Sequence, residues 1–104
     1  MKIINLPRGN GKTTRLLYAS EFNNMPILCA SQVSKQHLLE NAEKLNLKIP
    51  EPITISDVTM GGVFKTSVRD QDILVDEAPM VLQFLLSYLG MTGGIKAITL
   101  TDKE

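Results

Sequence analysis

With 104 residues, 43% of them hydrophobic and 21% charged, the chain has the balance expected of one soluble globular domain and not two. Eleven Lys and Arg offset eleven Asp and Glu, and the pI is near 6.6, which argues against a large basic nucleic-acid face but leaves room for a small one. Cys29 is the sole cysteine, so no internal disulfide can form, and no apolar run approaches the ~20 residues of a membrane span.

Lys2 leads directly into an apolar run, which leaves no room for a signal peptide and makes a cytoplasmic location the expectation. Residues 2–6 read as a buried strand. Residues 13–22 read as a helix with Leu16, Leu17 and Phe22 turned inward, ended by Asn23 and Asn24. The short apolar run at 26–30 suits a parallel strand. A second helix is expected over 34–47, capped by Ser34, with Leu38, Leu39, Ala42 and Leu45 on one face. Pro50 and Pro52 break it, and 53–55 forms a third strand. Residues 59–72 are polar with Gly61 and Gly62, a loop or a short hairpin through 63–64. A fourth strand follows at 73–75. The helix at 79–89 begins on Pro79, ends at Gly90 and carries a wide apolar face of Met80, Val81, Phe84, Leu85, Tyr88 and Leu89. That face exceeds what a five-stranded sheet would cover, and it marks 79–89 as a candidate contact for a protein partner or a second copy. Residues 95–100 form a fifth strand. Strands alternating with helices predict a mainly parallel five-stranded sheet in a three-layer α/β/α sandwich, a single domain over 1–104. A domain of this size buries only about two-thirds of its unfolded surface, so oligomerisation is an expected remedy.

Two stretches carry chemistry. The first is Leu6-Pro7-Arg8-Gly9-Asn10-Gly11-Lys12-Thr13-Thr14, a glycine-rich loop between a strand and a helix. Gly9 and Gly11 lack a Cβ, so backbone N–H groups can close on phosphate oxygens, and the helix N-terminus adds its unpaired donors and positive dipole end. In a P-loop, Lys12 reaches the outer phosphates, Thr13 places a hydroxyl on magnesium, and Asn10 and Thr14 complete the cradle. The pattern asks for Gly at position 6, where this chain has Leu6. The second stretch is Asp72-Ile73-Leu74-Val75-Asp76-Glu77-Ala78, an apolar strand ending in two carboxylates. Ligands of α/β sheets sit at the carboxyl ends of strands, where both stretches fall.

Together these motifs resemble a P-loop NTPase of the branch whose Walker B strand ends in Asp-Glu, which includes helicases, RecA-like ATPases and packaging motors. The loop is particularly similar to the deviant Walker A of phage terminase large subunits, which often has Arg where this chain has Arg8. The resemblance covers nearly all of the chain. It implies ATP and Mg2+ as ligands, Thr13 and Asp76 on the metal, Glu77 as the base for the attacking water, and Arg8 near the γ-phosphate. It also implies that the last strand inserts between the first strand and the Asp76 strand, bringing Thr101 to a sensor position. Cys29-Ala30-Ser31-Gln32 resembles helicase motif Ia, which points to DNA through a small site. Helicases add a second RecA-like domain and terminases a nuclease domain, and neither fits in 104 residues. The implied activity is slow ATP hydrolysis in phage or mobile-element DNA metabolism.

Two other functions fit parts of the pattern. A non-catalytic module would bind nucleotide as a regulatory ligand and act through 79–89. A nucleoside kinase would use Glu77 on a nucleoside hydroxyl, but this chain has neither the nucleoside-binding lasso nor the zinc cysteines of thymidine kinases. The remaining candidates have plainer expectations: Cys29 a buried strand residue, His37 and Arg15 on solvated faces, Ser31, Gln32 and Ser34 in turn and cap roles, and Met60, Met80 and Met91 as core filler.

Overall fold

Short strands and helices alternate along the residues that the computed structural model describes, 3–4, 11–60 and 71–99. Helix α1 (Lys12–Asn23) is followed by β1 (Ile27–Cys29), α2 (Gln32–Lys44), β2 (Ile53–Thr54), α3 (Ile55–Thr59), β3 (Leu74–Val75) and α4 (Ala78–Tyr88). The three strands form a parallel sheet in the order β2-β1-β3, with Leu28 level with Ile53 on one side and Val75 on the other. Parallel neighbours require a crossover, and α2 supplies the one from β1 to β2.

Alternation along β1 decides how the layers form. Ile27 and Cys29 are fully buried on one face, against Leu17 of α1, Leu38 and Ala42 of α2, and Leu74 of β3. Leu28 points to the other face, toward a smaller cluster of Ala30, Ile55 and Val81, with Leu85. Helices therefore cover both faces of the sheet, α1 and α2 on one, α3 and α4 on the other.

Helix ends follow local rules. Asn24, at φ 52° and ψ 45°, stops α1, and buried Ser20 donates its hydroxyl to the Met25 carbonyl at 2.6 Å. Helix α2 ends at Lys44 in a Schellman turn: Asn46 is left-handed, its N–H donates to the Glu43 carbonyl, and the Leu47 N–H donates to Ala42 at 2.8 Å. Gly90 ends α4 the same way, with Met91 donating to Leu86 at 3.0 Å.

Several expectations are corrected. The mixed α/β class and parallel pairing hold, with three strands among the described residues. Ile3 and Ile4 are in no strand, and residues 2, 5 and 6 lie outside the described residues, as does the possible hairpin at 63–64. Residues 95–99 run as irregular chain, and Gln83 of α4 holds the start of the segment: its amide oxygen accepts from the Ile95 N–H at 2.7 Å and its nitrogen donates to the Gly93 carbonyl at 3.2 Å. Phe22 is 88% exposed, since α1 buries the face of Leu17 and Ser20 and Phe22 lies about 200° past Ser20. Leu45 caps α2 and is exposed, with Leu47 packing in its stead. Met60, Met80 and Met91 are exposed rather than core filler, and neither buried cluster contains a methionine. Helix α2 is capped by Ser31, not Ser34.

Candidate functional site

All three strands run in one direction, so their carboxyl ends share one edge of the sheet. Cys29 leads there into Ala30 and Ser31, Thr54 leads into α3, and Val75 leads into Asp76 and Glu77. The Asp76 N–H donates to the Leu28 carbonyl at 3.0 Å, which extends the β3 ladder by one residue and fixes where the acidic pair begins.

The start of α1 reaches the same place. Gly11 adopts φ 80° and ψ 22°, a conformation that strains any residue with a Cβ, and it serves as N-cap without a side chain to satisfy the first N–H groups of the helix. Lys12 then extends to Glu77, with Nζ 3.6 Å from Oε1. This contact joins the two motifs. Glu77 is also a backbone outlier: it caps α4 at φ 57° and ψ 62°, in the left-handed region that a Glu rarely enters. Such strain costs on the order of 1–3 kcal/mol and concentrates at functional positions.

Asp76 and Glu77 bring two carboxylates to this edge, and among the described residues Lys12 is the cation that acts on Asp76. Burial pushes the Asp76 carboxyl above its ordinary range, the Glu77 charge pushes it further, and Lys12 partly opposes both. Thr13 is half-buried one residue into α1 and Thr14 is exposed. Arg8, Gly9, Asn10 and Thr101 lie outside the described residues. Among the described residues, no three His, Cys, Asp or Glu side chains gather as a metal cluster.

Cys29 sits at the centre of this edge, buried, with its Sγ 3.5 Å from the Ile53 carbonyl. Burial pushes its thiol up to about 11, Asp76 adds to the shift, and Lys35 opposes it. The thiol is thus protonated and inert, as its place in an apolar strand suggests. Ser31 spends its hydroxyl as an acceptor for the Ser34 N–H at 3.3 Å, a cap role. His37 and Arg15 are solvent-exposed.

One feature of this edge escaped the sequence reading. Thr54 and Asp57 form a reciprocal capping box, Asp57 N–H to Thr54 Oγ1 at 3.2 Å and Thr54 N–H to Asp57 Oδ2 at 2.9 Å. Its signal was present as Thr-x-x-Asp just after an apolar pair. A shallow depression lined by Glu40, Glu43 and Lys44 shares no residue with the site. No protein-family model matches the chain, and neither a curated protein nor a solved structure does.

Proposed function

We propose that the chain binds Mg-ATP through a minimal P-loop at residues 6–14 and hydrolyses it slowly, as a helicase- or terminase-like ATPase domain in phage or mobile-element DNA metabolism. The observation that carries this reading is the Lys12–Glu77 contact of 3.6 Å, which sets the lysine of one motif against the acid of the other at the carboxyl edge of a parallel sheet. Left-handed Gly11 and the uncapped start of α1 support it, being what backbone capture of phosphate requires.

Each residue has a role in this reading. Lys12 binds the outer phosphates, and Gly9, Asn10, Gly11 and Thr14 line the cradle. Thr13 and Asp76 hold Mg2+, whose charge would be balanced in part by Asp76. Hard oxygen donors of this kind, with phosphate oxygens completing the shell, suit magnesium without a larger acidic cluster. Bound there, magnesium would neutralise charge on the phosphates. Glu77 accepts a proton from the attacking water, Arg8 assists as a cation, and Thr101 senses the γ-phosphate. The finer architecture belongs to the same proposal: in a five-stranded P-loop sheet, 95–100 would leave the irregular path and the Gln83 contact described above and pair beside β3, whose only neighbour among the described strands is β1. Location in the cytoplasm follows from the same reading.

Titration with Mg-ATP, with Lys12→Ala as control, followed by phosphate release with and without single-stranded DNA, tests it. Binding lost in Lys12→Ala, with release stimulated by DNA, is the expected result. Binding without release would favour the non-catalytic nucleotide module, and no binding would refute the site.

A further inference from the structure

Glu77 sits between two fixed points of the backbone. On one side the Asp76 N–H donates to the Leu28 carbonyl at 3.0 Å; on the other the Val81 N–H donates to the Glu77 carbonyl at 3.0 Å and opens α4. Val81 is itself buried, packed with Ala30 and Ile55. Pro79 has its φ fixed by its ring, so freedom to rotate concentrates at Glu77 and Ala78. Both hold conformations they disfavour. Glu77 lies at φ 57° and ψ 62°, which a residue with a Cβ disfavours by roughly five- to thirtyfold. Ala78 is helical although Pro79 follows it, and a proline pushes the residue before it toward extended backbone. Two such residues in a row need something to hold them.

We propose that Lys12 latches this strained hinge, and that an anion drawing Lys12 from Glu77 lets residue 77 relax to negative φ and re-aims the first turn of α4. The contact is placed to do so. Lys12 Nζ lies 3.6 Å from Glu77 Oε1 and ties the start of α1 to the start of α4. The direction of a Cβ is set by its own backbone. A change of about 120° in φ, from left-handed to ordinary helical backbone, swings the Glu77 carboxylate off the lysine. Ion pair and left-handed backbone are thus one state, and free lysine with relaxed backbone is the other.

The bias is small on both sides, which is what makes the element switchable. The Glu77 and Lys12 side chains are half and one-third exposed, and an ion pair so open to water shifts an equilibrium by at most about fivefold. That is the order of the strain it opposes. Loss of the lysine therefore tips the hinge, whereas a Gln at position 77 keeps an oxygen for Lys12 and retains the latched state. The trigger rests on the nucleotide reading proposed above: outer phosphates that take Lys12 free Glu77, and their presence is passed from α1 on one face of the sheet to α4 on the other. The latch itself does not rest on that reading.

Solution NMR of the full chain tests latch and trigger separately, because the one-bond Cα–Hα coupling and the intraresidue N–H to Hα NOE report the sign of φ at residue 77. Wild type without ligand should show positive φ. Lys12→Met should shift residue 77 toward negative φ by up to about fivefold in population, with Met80 signals moving and those of core Leu17 and Leu38 unchanged. Saturating Mg-ATP should move the wild-type signals in the same direction and leave Lys12→Met unaltered. Thermal melts check the strain. Glu77→Gly and Glu77→Ala both lose the carboxylate, and the Gly variant should melt higher by about 4 °C or more, since Gly alone enters the left-handed region freely. Residue 77 held at positive φ in folded Lys12→Met, or Glu77→Gly melting no higher than Glu77→Ala, overturns the inference. Movement in Lys12→Met with no response of the wild type to Mg-ATP upholds the latch and refutes the nucleotide reading. A Mg-ATP response at Gly11 and Lys12 with residue 77 still left-handed upholds that reading and overturns the inference.

Discussion

Replacing Glu77 by Gln separates two effects that the geometry superimposes on one residue. In the structure Glu77 holds Lys12 at 3.6 Å, with the two side chains 50% and 32% exposed. An ion pair so open to water is worth at most about 1 kcal/mol. Phosphate has to displace Glu77 from Lys12, so removing the carboxylate should tighten Mg-ATP binding by roughly two- to fivefold, the same energy expressed as an equilibrium constant. Phosphate release should fall by about 100-fold or more, the usual contribution of a general base. Folding should change little, with Tm moving by no more than about 5 °C, because a Gln keeps the same left-handed cap of α4. Equilibrium titration, single-turnover phosphate release and a thermal melt on the same preparation read all three. Release within about threefold of wild type would refute the role of Glu77 as base. Binding weakened tenfold would refute the competition for Lys12.

Other outcomes follow from the core and the strand ends. Cys29 should resist alkylation at pH 8 in the folded chain and react at once in denaturant. Its thiol is held up near 11 against an ordinary 9.0, so the folded state keeps the proton that the unfolded state releases; the associated stability is fully present below pH 9 and is lost as pH rises toward 11, by up to about 3 kcal/mol, and Cys29→Ala should flatten that slope in urea unfolding between pH 8 and 11. Leu17→Ala empties a fully buried position between α1, α2 and β1 and should cost about 3–5 kcal/mol, enough to unfold a domain of this size at 37 °C by circular dichroism. Thr54→Val removes the hydroxyl that receives the Asp57 N–H, and should lower stability by about 1 kcal/mol by chemical denaturation, with Thr54→Ser restoring most of it.

Apolar runs bounded by breakers were legible in the sequence. Residues 26–30, 53–55 and 73–75 each yield a strand, though trimmed to two or three residues, because short buried runs have few competing uses. Helix stops were equally readable where a single residue carries the conformation, as Asn24 and Gly90 do. Rotation of a helix about its axis was not. Phe22 and Leu45 are apolar residues at plausible inward spacing, yet α1 turns the face of Leu17 and Ser20 inward instead of Phe22, and Leu45 gives way to Leu47, which the turn at the end of α2 carries inward. Only tertiary contacts decide that, and a 3.6-residue period alone leaves the choice open. The run at 95–99 was misread for a similar reason, since its backbone donor is taken by a side chain twelve positions earlier. Of the candidate site, the sequence supplied Lys12 and Glu77 from separate motifs, and the parallel sheet brings them together. The left-handed backbone of Glu77 had no signal in the residue itself, because Glu ordinarily avoids that region.

The grip of Gln83 on residues 93–95 bears on how the chain avoids sticking to itself by its backbone. Strand β3 has a partner on one side only among the described strands, and a strand edge with open N–H and C=O groups recruits other strands indiscriminately. The apolar segment from Ile95 to Thr99 is the nearest in sequence that could add to such an edge, in this molecule or in another. With the Ile95 N–H occupied by an amide oxygen at 2.7 Å, that segment starts with its first ladder donor already spoken for. One glutamine side chain thereby withholds a backbone donor that a strand ladder would otherwise use.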